Sequence, residues 1–253
     1  MGVSGGRRKA KKTARKAGFR YDYARPSVTV DMVVFTVVDL DLKVLLIERG
    51  VPPFEGEWAL PGGFVRVGNG VDDQGEAVDD AAVRELQEET GLSPQDVFLE
   101  QLYTFGAAGR DPRGRVISVA YYALVPADRV PRVKAGDDAV DATWVSVSRL
   151  DRVELAFDHG DIIDVAVERI AGKIEYDLRL AMSLVPRSFT KAELRRVFEV
   201  VTGNDYDKSN FNKRFNRMSE DGVIIDAPGK RAAAGPGRPA HLYAFAETRH
   251  AGL

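Results

Sequence analysis

The sequence predicts an α/β unit, then a helical connector, then a small unit of two helices and a β-hairpin. Three observations carry this reading. Short runs rich in Val, Ile, Leu and Phe recur between residues 28 and 147, set apart by Gly and Pro. Amid them Ala77 to Thr90 contains neither Gly nor Pro, is full of helix formers and stops at Gly91. From Asp158 onward helical spacing replaces the strand pattern, and strand-like runs return only at Val223.

In chain order, Val28 to Val38 and Lys43 to Ile47 are expected as strands joined by a turn over Asp39 to Leu42. Pro52-Pro53 and Gly62-Gly63 punctuate a loop and another short strand. Val97 to Phe105 and Val116 to Val125 read as strands around the turn Arg110 to Gly114, and Thr143 to Val147 as the last strand of the unit. Asp158 to Ala171 and Tyr176 to Leu184 read as helices with Gly172 between them, and Val185-Pro186 marks a break. The expected organisation is a basic arm over 1–20, a first unit over 21–157, a connector over 158–187, a second unit over 188–246 and a tail over 247–253.

Composition narrows the class. Hydrophobic residues at 44% and charged residues at 29% describe an ordinary soluble globular chain. There is no cysteine, which excludes disulfides and thiolate metal sites and fits a reducing cytoplasm. Met32 to Val38 is too short to cross a bilayer, so no membrane partner is expected. The net charge of −2 hides an asymmetry. Residues 1 to 20 hold eight Lys and Arg and no acid, which leaves 28 basic against 38 acidic residues in the rest. The arm is a solubilising segment or one that meets nucleic-acid phosphate.

Glu85, Glu88 and Glu89 share one helix face, since positions three and four apart are neighbours. Three anions so close call for a cation, and all-oxygen ligands suit Mg²⁺ or Mn²⁺. Arg84 can orient one of them, while Ala82, Val83 and Leu86 face the sheet. Together with Gly70, Glu76, Gly91 and Leu92 they spell G-x5-E-x7-R-E-U-x-E-E-x-G-U, where U is aliphatic. This resembles the Nudix box at every defined position. The resemblance implies an α/β/α sandwich with a mixed sheet and ligands in which a diphosphate joins a nucleoside to a second group. It also implies metal ligation by Glu85, Glu88 and Glu89, with Glu88 as the catalytic residue if the site is active. Two features depart from the family. The loop from Arg66 to Gly75 is about seven residues longer than usual, and Arg66 stands where active relatives often carry glutamate.

In the second unit Leu194, Val197, Phe198 and Val201 form one buried helix face, and Thr190 with Glu193 forms a capping box. A second helix, Lys208 to Glu220, buries Phe211, Phe215 and Met218 and turns polar and cationic residues outward. Strands at Val223 to Ile225 and His241 to Phe245 flank a loop with Lys230, Arg231 and Arg238. This is the outline of a winged helix-turn-helix. The DNA-contact candidates are Lys208, Ser209, Asn210, Asn212, Lys213, Arg214 and Arg217 in the major groove, with Lys230, Arg231 and Arg238 on phosphates. A small interaction module with a charged face is the alternative.

The two units together resemble the NrtR family of Nudix-related regulators of NAD metabolism. The stretches Leu99 to Gly106, Arg110 to Arg115, Leu155 to His159, Phe189 to Leu194, Asp207-Lys208 with Asn210-Phe211, and Arg238 to Ala240 with Leu242-Tyr243 carry it. The resemblance implies a homodimeric repressor of NAD synthesis or salvage genes. Its winged helix holds palindromic double-stranded operator DNA, and its Nudix unit senses ADP-ribose or a related NAD metabolite with weak or no hydrolysis. The alternatives are an active ADP-ribose pyrophosphatase with a C-terminal interaction module, or a bifunctional protein. Ligand-binding candidates are Gly62, Gly63, Arg66, Phe105, Arg110, Arg113 and Arg115. The three arginines clamp a diphosphate or line an exposed turn, Trp58 and Phe105 stack on adenine or pack in the core, and His159 is expected to cap or pack the connector.

Overall fold

The computed structural model describes residues 22–68, 73–95, 97–130, 139–231 and 239–246. The basic arm, Gly70, Arg238 and the tail lie outside the described residues.

One mixed sheet organises the first unit. Strands β1 (Ser27–Val38) and β2 (Asp41–Arg49) form a hairpin whose turn is only Asp39 and Leu40, both at positive φ. The turn is thus two residues shorter than the sequence suggests, because the antiparallel register runs up to Val38 and Asp41. β3 (Trp58–Ala59) pairs with β2, and β4 (Gly62–Phe64) pairs with the first part of β1. The helix α1 (Val78–Thr90) ends at Gly91 in the left-handed conformation that favours glycine. Then β5 (Phe98–Phe105) and β6 (Val116–Val125) follow, and β6 lies parallel to β1 along ten residue pairs. The strand β7 (Ala139–Ser146) completes the sheet against β2.

Alternation along β1 separates the two faces of the sheet. Val30, Met32 and Val34 pack with Ala81, Ala82 and Leu86 of α1. Ala81 takes the buried place expected of Val83, which is half-buried. Val33, Phe35 and Val37 enter the larger core on the opposite face.

The connector is two helices, α2 (His159–Lys173) and α3 (Leu178–Leu184). The expected break at Gly172 falls inside α2; the chain turns instead at 174–177, where the Asp177 side chain caps α3 by accepting from the Arg179 N–H. The second unit follows with α4 (Lys191–Thr202), α5 (Lys208–Glu220), β8 (Ile224–Arg231) and β9 (Ala240–Phe245). The capping box at Thr190 and Glu193 forms as expected. Lys230 and Arg231 lie in β8, paired with His241 and Ala240, rather than in the loop. Phe189 bridges Tyr243 and adds a third line to the wing. The larger core is continuous from β1 and β6 through Ile162, Ala166 and Ile170 of α2 to Phe198 and Phe215, so the connector is part of the packing that joins both units.

Candidate functional site and its relatives

A cleft of about 710 Å³ opens where β1, β2 and β4 meet the N-terminus of α2 and the acid-bearing face of α1. Gly62, Gly63, Arg66, Glu85, Glu88, Glu89, Arg110 and Arg113 all line it. Phe105 and Arg115 do not. Phe105 packs at the core margin against Tyr103, and the Arg115 guanidinium donates to the Gly106 and Ala107 carbonyls, which closes the turn locally.

The carboxylates of α1 are met by arginines. The Arg84 guanidinium donates to Glu76 at 2.6 Å, Glu85 at 2.5 Å and Glu88 at 3.0 Å. Arg66 adds a second cation on Glu88 at 3.1 Å. The hydrogen bond from Arg84 holds Glu76 down at about 2, against the burial that opposes it. Burial pushes the Glu85 carboxyl up, although Arg84 pulls the other way. Glu89 accepts the Gly62 N–H at 2.7 Å. These are hard oxygen donors of the type Mg²⁺ and Mn²⁺ take. Even so, among the described residues no group of three or more His, Asp or Glu side chains converges on a point that suits a metal ion. In this arrangement arginine supplies counter-charge that the sequence led us to expect from a metal.

The lengthened loop is pinched at its base. The Arg66 N–H donates to the Glu76 side chain at 2.8 Å, the Glu76 N–H returns to the Arg66 carbonyl at 3.0 Å, and Val67 bridges Gly75. The base of the loop is therefore fixed on both sides, and Glu76 keeps its place on Arg84.

On the facing wall lies a charged network that the sequence did not reveal. Arg110 is buried and grips Asp158 through two bonds of 2.8 and 2.5 Å, with Asp31 at 3.5 Å. Burial opposes its charge, but the Asp158 bonds and the Asp31 charge outweigh this and leave its pKa raised. Arg110 thus lines the cleft as expected and is at the same time paired with two carboxylates of the wall. Arg113 is different: Asp111 holds it at 2.7 Å, yet it stays 40% exposed beneath the rings of Phe64 and Phe157. His159 starts α2 as expected, but it also reaches the cleft. Its Nδ1 accepts the Leu60 N–H at 2.9 Å. Burial lowers its pKa, against the pull of Asp31 and Asp158, so at neutral pH the ring is neutral and Nε2 carries the proton. Phe54 and Phe157 meet edge to face at 4.7 Å, both at positive φ, beside Arg49. Bulky residues rarely hold that backbone conformation, and such strain concentrates at functional sites. Trp58 packs against the larger core.

On α5 the side chains of Lys208, Ser209, Asn210, Lys213 and Arg217 are exposed and Asn212 is half-buried. Arg214 is turned away from them. It ion-pairs with Glu175 just after α2, donates to the Glu175 carbonyl at 3.0 Å and lies over the Phe198 ring at 4.3 Å. Lys191 of α4, absent from the sequence-derived set, reaches Asn216 beside the exposed face at 3.1 Å.

The chain matches the NUDIX domain over residues 28–165 and the NrtR DNA-binding winged helix domain over residues 181–245. Fold and site therefore define a Nudix domain joined to a winged helix. It is 36% identical to the ADPR responsive transcriptional repressor NtrR of Acinetobacter baylyi, over 89% of this chain and 84% of that one. The chain belongs to the NrtR family. The crystal structure of Shewanella oneidensis NrtR complexed with a 27mer DNA superposes with a TM-score of 0.71 at 34% identity, covering 87% of this chain and 93% of that one. The Nudix domain of the same protein, complexed with ADP ribose, superposes at 0.51 and 35% identity, covering 59% and 93%. An ADP-ribose pyrophosphatase of Methanocaldococcus jannaschii is 41% identical over 62% of this chain and 84% of its own length.

Proposed function

We propose that this protein is a repressor that holds double-stranded operator DNA with α5 and the wing and reads ADP-ribose in the Nudix cleft. One observation carries the reading. The exposed face of α5 is cationic and amide-bearing, while every carboxylate on the cleft face of α1 already has an arginine or N–H partner. A helix of the first kind suits base edges and phosphates. Of the carboxylate partners, Arg66 on Glu88, where the sequence departs from the family, favours binding without turnover. The cleft volume lies in the range of pockets that enclose a nucleotide-sized ligand. The finer parts of the reading are a homodimer on a palindromic site, since a two-fold protein matches a two-fold operator, control of genes for NAD synthesis or salvage, and little or no hydrolase activity.

The hydrolase reading keeps one favourable observation, that Glu85, Glu88 and Glu89 all line the cleft. One experiment decides between them. The full chain is titrated on DNA from upstream of the NAD genes of its own genome, with and without ADP-ribose, and AMP is assayed in the same tubes with Mg²⁺ or Mn²⁺ present. Specific binding that falls steeply with salt, changes with ADP-ribose and yields no AMP supports the repressor. AMP release without specific DNA binding establishes the enzyme instead.

A further inference from the structure

Thr29 breaks the rule that buried polar groups are hydrogen-bonded. It lines the cleft and is only 7% exposed, yet its Oγ1 has no hydrogen-bond partner. The other two such atoms among the described residues, on Trp144 and Arg195, lie away from the cleft. Strand geometry explains the position. The face of β1 that carries Val33, Phe35 and Val37 into the larger core continues back through Asp31 to Thr29, and there it changes from apolar to polar as it enters the cleft. Next to this hydroxyl, Asp31 is half satisfied. Its Oδ2 accepts from Ser118 and faces Arg110, whereas its Oδ1 has the His159 ring at 3.8 Å, beyond hydrogen-bond distance.

We infer that Thr29 Oγ1 and Asp31 Oδ1 together hold a neutral hydroxyl of the bound ligand, which accepts a hydrogen bond from Thr29 and donates one to Asp31. A sugar hydroxyl both donates and accepts, so it fits this pair. A phosphoryl oxygen has no proton for a carboxylate and would meet it as a like charge. The ligand class is a nucleoside diphosphate carrying a terminal pentose, and the pair reads that pentose. This rests on the proposal that the cleft takes ADP-ribose. It goes further in assigning the sugar end to β1 and in making Thr29 a specificity-determining residue.

Thr29→Val tests the inference because it moves two quantities in opposite directions. Valine keeps the shape and removes a buried hydroxyl that destabilises the ligand-free fold when unpaired. In urea unfolding of the full chain without ligand, Thr29→Val is therefore expected to lower the unfolding constant by about tenfold. In calorimetric titrations it is expected to weaken ADP-ribose by about tenfold while leaving ADP, which lacks the terminal pentose, within about twofold. Thr29→Ser, which restores a hydroxyl, should return ADP-ribose to within about threefold of the natural chain. A Thr29→Val protein that is no more stable than the natural chain, or that fails to fold, overturns the unpaired hydroxyl. Equal weakening of ADP and ADP-ribose overturns the assignment to the terminal pentose. If the natural chain binds neither nucleotide, the ligand proposal for the cleft fails and the sugar contact fails with it. The urea result would still report whether the hydroxyl is unpaired, so the two failures are distinct.

Discussion

Gly62→Ala should be among the most damaging single-atom additions to this protein. Gly62 sits at φ 157°, a conformation that residues with a Cβ rarely adopt, and space is short there as well. A Cβ there would sit 2.2 Å from the Val30 carbonyl oxygen and 3.0 Å from Asp31 Cα, both main-chain atoms of β1. Ordinary contact begins near 3.4 Å, so β4 must move from β1 by about 1 Å. Besides the strand pairing, two hydrogen bonds next to Gly62 hold it there, from the Gly62 N–H to the Glu89 carboxylate at 2.7 Å and from the Met32 N–H to the Pro61 carbonyl at 2.8 Å. A bond to a charged acceptor contributes about 1.5–3 kcal/mol and a neutral one about 1 kcal/mol, so the expected loss is about 2.5–4 kcal/mol. Urea unfolding of the full chain measures it, provided the slope is unchanged. Gly106→Ala is the control, because its nearest neighbours would be at 3.9–4.0 Å, and it should stay within about 0.5 kcal/mol. A Gly62→Ala protein within about 1 kcal/mol of the natural chain would refute the reasoning.

Three further outcomes follow from the cleft and its link to α5. Arg84 depresses Glu76 from an ordinary 4.5 to about 2, so this pair contributes stability that is present above pH 4.5 and lost as pH falls toward about 2. Melting temperature followed over that range should fall less steeply for Glu76→Gln than for the natural chain, and identical slopes would sink the assignment. Arg66→Glu removes a cation from Glu88 and adds a carboxylate, so calorimetric affinity for Mn²⁺ should rise by about tenfold or more; no rise would refute the view that arginines hold this set closed to metal. Glu175→Gln should leave ADP-ribose affinity within about twofold. It should reduce the ratio of DNA affinities without and with ADP-ribose by about fivefold or more. An unchanged ratio in shift titrations would show that the response does not pass through Glu175.

Legibility followed the range of the signal. The bounds of α5, the capping box of α4 and the span of β6 are local, fixed by periodicity and caps within a dozen residues, and the structure places them as the sequence predicts. Gly172 misled because one glycine in a helix costs only about 1 kcal/mol. The packing of Ile162, Ala166 and Ile170 on one core face outweighs that, and the helix runs through. The acid-bearing face of α1 was legible as a motif, but its charge balance was not. Arg66 and Arg84 are eighteen positions apart, and only the fold of β4 against α1 brings both onto Glu88. The network of Asp31, Arg110, Asp158 and His159 is still less local, since it joins β1, the turn before β6 and the start of α2. Sequence shows that an arginine is present at position 110 and cannot show that two carboxylates share it.

A metabolite can alter DNA binding only if it interacts differently with two arrangements of the chain, and some packed element must carry that difference. Here α2 is the element with contacts at both places. Its first residue, His159, accepts the Leu60 N–H two residues before Gly62, and Asp158 just before it holds Arg110. Glu175, just past its far end, receives the Tyr206 hydroxyl and the Arg214 guanidinium, one residue before the cap of α5 and one within its second turn. Between these ends Ile162, Ile163, Ala166 and Ile170 are wholly packed, so α2 can shift as a body but has little freedom to absorb a displacement by bending. A ligand that moves the Leu60–Gly62 segment or the Arg110–Asp158 pair therefore acts on α2, and α2 acts on the residue that fixes Arg214. That arginine lies on the same helix as Lys213 and Arg217 yet points into the protein. The cleft and the cationic helix α5 thus meet the two ends of one helix, through Asp158 and His159 at the first and Glu175 at the second, within one continuous core.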